Sequence, residues 1–325
     1  MRRLILTLAV AIGLSPGTWL RTETTQRDFD APITVTPIAV RDGVEGPLAL
    51  TGAWTLSSRN DHFGGYSALI WLGDDRLLAG SDRGRLLEIM LGVEGPVAEG
   101  AKLSFVPGRG ETKREFSDLE ALTIDHSTGT IWAAFESRNI IERRDAQGKV
   151  TRRRPPEIGE WSANSGPESL VRFADGRFLL LAEGFSNEDI TDRAGLLFAS
   201  DPAEVTQSTA FRFGSPSRFR PVDAALLPSG EVMILLRRVR YTFPATFDAM
   251  LMQADPAEIE ADAVWTGEIV ARISGEHFGE NLEGITFVPD ADNPAAGSLY
   301  LIADDNLSAF QTSLMLRFAW PIEGE

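Results

Sequence analysis

The stretch Leu119-Glu120-Ala121-Leu122-Thr123-Ile124, then His126-Ser127-Thr128-Gly129, then Ile131-Trp132-Ala133-Ala134-Phe135, decides how the rest of the chain is read. Two short apolar runs flank a polar turn that ends in glycine, the pattern of a β-hairpin. The runs are apolar almost throughout instead of alternating, as strands covered on both faces must be. Four more copies follow the same plan. Tyr66-Ser67-Ala68-Leu69-Ile70-Trp71 leads through Gly73-Asp74-Asp75 to Leu77-Leu78-Ala79-Gly80, and Pro167 to Arg172 leads through Ala174-Asp175-Gly176 to Phe178 to Ala182. Val222 to Leu227 leads through Pro228-Ser229-Gly230 to Val232 to Leu236, and Leu282 to Phe287 leads through Asp290 to Gly297 to Leu299 to Ala303.

The copies begin roughly 50 to 60 residues apart, close to the ~40–50 residues of one four-stranded propeller blade. Third strands fit at Arg85 to Leu91, Ile140 to Arg144, Gly195 to Ala199, Met250 to Gln253 and Leu314 to Trp320, and fourth strands at Lys102 to Val106 and Lys149 to Arg153. The expected fold is all-β, a β-propeller of four-stranded blades with five repeats. Ile33 to Val40 and Ala49 to Ser57 are expected to complete the last blade and close the ring, which removes exposed edges. The surplus N-terminal strand leaves room for a sixth, degenerate blade. A stacked α/β pair is the rival, but no segment keeps a helical period, and Pro202 to Val205 and Pro256 to Ala261 support only a turn or two of helix.

At 325 residues, 43% hydrophobic, the chain is long enough for one large all-β domain, placed at residues 31–325. Its net charge of −16 opposes phosphate backbones and anionic lipid, so nucleic acid is excluded as a partner. The absence of cysteine removes disulfides, thiolate nucleophiles and Cys-ligated metal together. Arg2-Arg3 before the apolar run Leu4 to Leu14 has the form of a secretory signal, and the run is too short to span a bilayer. Ser15-Pro16-Gly17 lacks a clean A-x-A site, so residues 1–20 read as a signal peptide or an N-terminal anchor. A bacterial periplasmic or secreted monomer is expected, with no other membrane contact.

A hairpin with strands of matched length brings the residue before its first strand beside the residue after its second. Those positions are Ser67/Asp82, Glu120/Glu136, Glu168/Glu183, Asp223/Arg237 and Glu283/Asp304, and eight of the ten are acidic. In a propeller they converge on one mouth of the central channel. Crowded carboxylates either take up protons at raised pKa or hold a cation, and an all-oxygen set points to Ca²⁺ before Mg²⁺. The plainer reading is a structural ring whose acids cap turns or pair with Arg83, Arg138 and Arg237. The loops with His62 and His277 enter the same mouth, and imidazole is a general acid or base near neutral pH. His126 falls in a hairpin turn at the opposite end. Gly65-Tyr66-Ser67-Ala68-Leu69 lacks the last glycine of G-x-S-x-G, and there is no H-E-x-x-H or P-loop. Arg152-Arg153-Arg154 is expected on a solvated outer strand.

Phe63-Gly64-Gly65-Tyr66-Ser67, Ser81-Asp82-Arg83-Gly84, Asp118-Leu119-Glu120-Ala121-Leu122, Asn164-Ser165-Gly166-Pro167-Glu168-Ser169 and Asn281-Leu282-Glu283-Gly284-Ile285 together resemble bacterial phytase-like proteins, also called esterase-like activity of phytase. The resemblance runs from about Gly52 onward. It implies an exported propeller and, by the family's name, ester or phosphoester hydrolysis of a small-molecule substrate. Three readings stand. In the first, Asp82, Glu120, Glu136, Glu168, Glu183, Asp223, Glu283 and Asp304 supply the ligands of a Ca²⁺-dependent hydrolase. Arg83 or Arg237 then stabilises negative charge, and His62 or His277 handles protons. The second is a non-catalytic propeller that binds a ligand or partner, its acidic ring only stiffening it. The third is a lactonase-like sugar-acid hydrolase.

Overall fold

The computed structural model describes residues 27–40, 43–106, 118–159, 161–162, 166–185, 192–308 and 310–321. The signal-like leader and the loop residues Asn164 and Ser165 lie outside them. The described residues form five sheets, antiparallel but for one two-residue strand, the blades of an all-β propeller, with only two one-turn 3₁₀ helices, Pro156–Ile158 and Pro256–Glu258.

Blade 1 runs outward as Tyr66–Gly73, Arg76–Ser81, Arg85–Gly92 and Gly95–Phe105, and blade 2 as Leu119–Asp125, Thr130–Phe135, Ile140–Arg144 and Val150–Arg153. Blade 3 is Pro167–Arg172, Phe178–Phe185, Asp192–Phe198 and Ser208–Gly214, and blade 4 is Arg220–Leu226, Val232–Arg240, Thr246–Ala254 and Glu268–Ile273. Blade 5 is Asn281–Pro289, Gly297–Asp304 and Ser313–Trp320, followed by Leu50–Ser57 from the N-terminal region. The pairing of Leu50–Ser57 with Ser313–Trp320 is antiparallel and sets Trp54 opposite Met315.

Three blades depart from the expected four strands. Val264–Trp265 adds to blade 3 in parallel, Val44–Glu45 adds to blade 4 and Thr34–Pro37 adds to blade 5. Each covers an outer edge whose unpaired N–H and C=O groups would otherwise invite another chain. The sixth blade for which the sequence left room does not occur among the described residues. The arginine run lies on the solvated outer strand of blade 2 as expected, with Arg152 and Arg154 exposed, and Arg152 Nε also donates to the buried Glu142 carboxylate at 2.7 Å and Arg154 to the Gly159 carbonyl at 2.6 Å.

The first two strands of each blade are apolar throughout because blades stack on both of their faces. Five apolar clusters lie between successive sheets. One joins Tyr66, Leu69 and Leu77 of blade 1 to Trp54, Tyr300 and Met315 of blade 5. Among the described residues no helix is long and apolar enough to cross a membrane.

One local irregularity recurs in all five inner hairpins. The register slips by a residue between Tyr66 and Ala68, Leu119 and Ala121, Pro167 and Ser169, Pro221 and Asp223, and Leu282 and Gly284. Each slip is a β-bulge, which leaves one residue unpaired and re-aims its side chain. The extra residues are Ser67, Glu120, Glu168, Val222 and Glu283. These acids therefore lie inside their strands, because the bulge lets the ladder resume beyond them.

Candidate functional site

Bulging turns Glu120, Glu168 and Glu283 toward the channel from three inner strands, and the ends of the second strands bring Asp82, Glu136, Glu183, Arg237 and Asp304 to the same mouth. The group is well covered: Glu120 and Glu168 are each 9% exposed, and Asp304 is 6% exposed. Burial pushes Glu120 well above the usual carboxylate range, and the charges of Glu283, Asp118, Glu136 and Asp82 push it further. Glu168 is raised well above that range by burial and then by Glu120, Glu183, Glu136 and Glu283. Burial and the charge of Glu283 carry Asp304 to about 8, against the Asn306 N–H that donates to it at 2.7 Å. Asp82 rises to about 6 through burial, although the Arg83 guanidinium pulls it down.

Arg237 divides this ring. Its Nη2 donates to Glu183 Oε1 at 3.0 Å, and its Nη1 pairs with Glu283 and donates to Asn281 Oδ1 at 2.5 Å. Burial works against its charge, but Glu283, Glu183 and Glu168 outweigh that and hold the guanidinium above its ordinary value. Glu183 also accepts from Arg220 Nη1 at 3.0 Å. The blade 3 to blade 5 side of the mouth thus carries its own cation.

On the blade 1 to blade 2 side the strongest charges on Glu120 are all carboxylates. Here Asp118, Glu120 and Glu136 offer oxygens that all lie within 4.8 Å of one another. Asp118 Oδ2 accepts the Ser137 N–H at 2.9 Å, and Glu136 Oε1 accepts the Gly166 N–H at 2.9 Å. Gly166 is needed at that approach, since a Cβ there would stand 2.8 Å from Glu136 Cγ. Burial raises Glu136 above the usual carboxylate range; the Gly166 N–H opposes this and the charge of Asp118 adds to it. Three converging hard oxygen donors, two of them pre-oriented by backbone N–H groups, fit a cation such as Ca²⁺.

Asp223 stands apart from this set. Its blade carries Val222 at the bulge, so Asp223 falls one register position deeper. It is 1% exposed, and its oxygens accept the N–H groups of Ala224 and Ile285, both at 2.8 Å. Burial raises it well above the carboxylate range, opposed only by backbone N–H groups, including that of Leu69. Asp223 therefore joins the inner strands of blades 4, 5 and 1.

The remaining residues singled out by sequence are placed elsewhere. Arg83 is exposed beside Asp82 in the turn after Ser81. His62 sits outward in blade 1, stacked on Phe29 at 4.6 Å and edge-on to Phe105 at 4.9 Å, with Nδ1 accepting from Arg85 Nε at 3.1 Å. His277 is exposed against the backbone of Gly43. At the opposite end of the channel His126 lies 4.7 Å from the Trp71 ring and helps line a cavity of about 320 Å³ with Leu122, Ala225 and Ile285.

Asp118 and Asn281 were not selected as site residues from sequence, although both stand in the quoted motifs. A frame of one residue per strand end passes over Asp118, two places before Glu120; the Asp-x-Glu spacing is the signal that finds it.

No curated protein matches the chain. Solved structures with loose likeness include catalytically inactive virginiamycin B lyase from Staphylococcus aureus with quinupristin, 10% identical over 90% of each chain with a TM-score of 0.42. A protein of unknown function from Bacteroides thetaiotaomicron is 12% identical over 91% of this chain and 73% of that one, with a TM-score of 0.45. A nidogen/laminin complex chain is 11% identical over 82% and 94%, with a TM-score of 0.42. Likeness at this level carries nothing about chemistry. A family profile described as "Phytase-like: Esterase-like activity of phytase" matches residues 61–307. It spans all five inner hairpins and every carboxylate of the mouth, and the chain belongs to this phytase-like family.

Proposed function

We propose that the protein is a metal-dependent hydrolase of a phosphoester or other ester, acting on a small molecule at the acidic mouth. The observation that carries this reading is the convergence of Asp118, Glu120 and Glu136 on a side of the mouth where the strongest charges acting on Glu120 are all carboxylates. These three would hold the cation, with Ca²⁺ the best match to an all-carboxylate set. When bound, the cation would polarise a carbonyl or phosphoryl oxygen.

The chain's own groups supply the rest. Glu168, raised well above the carboxylate range by burial and its neighbours, would donate a proton to a leaving group, a role that needs a carboxyl with raised pKa. Arg237, fixed by Glu183, Glu283 and Asn281, presents a rigid guanidinium to negative charge that develops across the mouth. Gly166 and Ser137 orient Glu136 and Asp118 through their N–H groups.

The scaffold in this reading is a ring shut by the Leu50–Ser57 strand and exported as a monomer to the bacterial periplasm or beyond, on the strength of Arg2-Arg3 and the apolar run after them. A second reading, a binding propeller with a structural acid ring, is favoured by the pairing of Arg237 with Glu183 and Glu283, which neutralises part of the ring internally. Resin-treated protein assayed on 4-nitrophenyl acetate and 4-nitrophenyl phosphate, with and without added Ca²⁺, separates the two. The hydrolase reading expects turnover that appears with Ca²⁺ and is lost in Glu120→Gln. Calcium binding without turnover supports the second reading.

A further inference from the structure

The carboxylate trio is flanked by a buried amide that the hydrolase reading does not use. Asn139 closes the tight turn that begins at Glu136, its backbone N–H donating to the Glu136 carbonyl at 2.9 Å. It is 2% exposed and sits at φ 50°, a left-handed conformation that asparagine tolerates better than most residues. Its Nδ2 donates to the Trp161 carbonyl at 2.8 Å, which fixes which end of the amide is nitrogen. Oδ1 therefore faces away from that carbonyl, and it is buried with no hydrogen-bond partner among the described residues.

A buried acceptor left unpaired carries the full cost of its desolvation, so this oxygen calls for a partner. Its surroundings say which kind. A Cβ on Gly166 would stand 2.7 Å from Asn139 Oδ1 and 2.8 Å from Glu136 Cγ, so the amide oxygen and the Glu136 arm meet on the same side of Gly166. The Gly166 N–H in turn holds Glu136 Oε1 at 2.9 Å. The same turn is tied to a second carboxylate of the trio, since the Ser137 N–H donates to Asp118 Oδ2 at 2.9 Å and the Glu136 N–H to the Asp118 carbonyl at 3.0 Å. An ionised carboxylate only accepts, so Glu136 in that form cannot satisfy Oδ1, whereas a cation satisfies both.

We propose that Asn139 Oδ1 is a fourth, neutral ligand of the cation held by Asp118, Glu120 and Glu136; the proposal rests on the cation reading of that trio. Crowded carboxylates repel, and an amide oxygen adds a hard donor without adding charge. It also bears on which cation is taken. Calcium accepts about six to eight oxygens in a flexible shell, whereas magnesium keeps several of its waters, so each further protein oxygen favours calcium.

The test compares wild type, Asn139→Gly and Asn139→Asp as the whole protein, stripped of metal on a chelating resin and shown to be folded by circular dichroism. Glycine removes the oxygen and relieves the positive φ, and aspartate keeps an oxygen there; both give up the amide N–H to Trp161. Calorimetry reads calcium affinity, and luminescence lifetimes of bound Eu³⁺ in H₂O and D₂O count the waters on the ion. Asn139→Gly is expected to weaken calcium about tenfold or more and to admit about one additional water, while Asn139→Asp keeps the wild-type water count. Wild-type affinity and water count in Asn139→Gly overturn the proposal. So does weakening in Asn139→Gly without an added water, or the same added water in Asn139→Asp, since either traces the effect to the lost Trp161 bond. Wild type that takes up neither ion overturns the cation reading and the ligand assignment together, whereas wild-type binding with any of the other contrary results sinks the ligand assignment alone.

Discussion

Arg237 on blade 4 reaches across to blade 3 and donates to Glu183 at 3.0 Å, with both side chains largely withdrawn from solvent. This contact makes the mouth two-sided. The half that includes Glu183 and Glu283 is neutralised by a guanidinium, whereas in the half around Glu120 the strongest charges on that residue are carboxylates.

Arg237→Gln should therefore cost far more than a surface charge. Removing one partner of a buried pair leaves the other uncompensated, at about 3–5 kcal/mol. The loss should shrink at acid pH, where the abandoned carboxylates protonate. Denaturant melts at pH 7 and pH 5 check this, and an equal loss at both would count against it.

Asp223 should behave as a structural strut. Asp223→Ala abandons the N–H groups of Ala224 and Ile285, at about 1–3 kcal/mol for each buried donor left unpaired. Asp223→Asn keeps an acceptor for one of the two N–H groups and should lose about half as much, about 1–3 kcal/mol. Calcium affinity should stay at the wild-type value in Asp223→Asn, which isothermal titration reads directly.

The metal-stripped protein should lose stability as pH rises. Asp82 and Asp304, raised to about 6 and about 8, hold protons in the folded state that the unfolded chain releases near pH 4. Their contribution is present below about pH 4 and is lost as pH rises through their folded values. Asp125, lowered by its hydrogen bonds to Ser127, acts in the opposite sense and matters only toward stronger acid. Between pH 5 and 8 the melting temperature of stripped protein should fall by about 5 °C or more. Calcium should flatten that slope, and a stripped protein with a flat profile contradicts the account.

Gly166→Ala should act on the site through position alone. The new Cβ would crowd Glu136 Cγ and lie 2.7 Å from Asn139 Oδ1. Displacing one ligand carboxylate should weaken calcium about tenfold, in the range seen when groups that orient ligands are altered, with near-wild-type far-UV circular dichroism. Unaltered calcium affinity would show that the Gly166 contact does not position Glu136.

The fold was legible because five hairpins such as Leu119 to Phe135 repeat a doubly buried apolar pattern, and because the acids fall at matched places in them. What escaped was register. A bulge adds a residue without altering the hydrophobic string, so nothing in Val222-Asp223 shows that the valine, not the aspartate, occupies the place of Glu120. The fifth strands were equally hidden, since Val44–Glu45 and Val264–Trp265 are too short to carry a period. Long-range partners were hidden as well. His62 stands in a polar, glycine-rich loop, but Phe29 and Phe105, distant in sequence, fix it outward. The arginines of blades 3 and 4 are dispersed from Arg193 to Arg240, and only the stacking of two sheets gathers them.

The central claim is that Asp118, Glu120 and Glu136 form a cation site. The most direct measurement is calorimetric titration of Ca²⁺ into resin-treated wild-type protein and Glu120→Gln, both shown to be folded, in buffers of two ionisation enthalpies. The account predicts saturable binding by wild type with release of protons from the crowded carboxyls, and affinity weakened about tenfold or more in Glu120→Gln. Folded wild-type protein that takes up no calcium, or a variant that binds it equally well, would contradict the account.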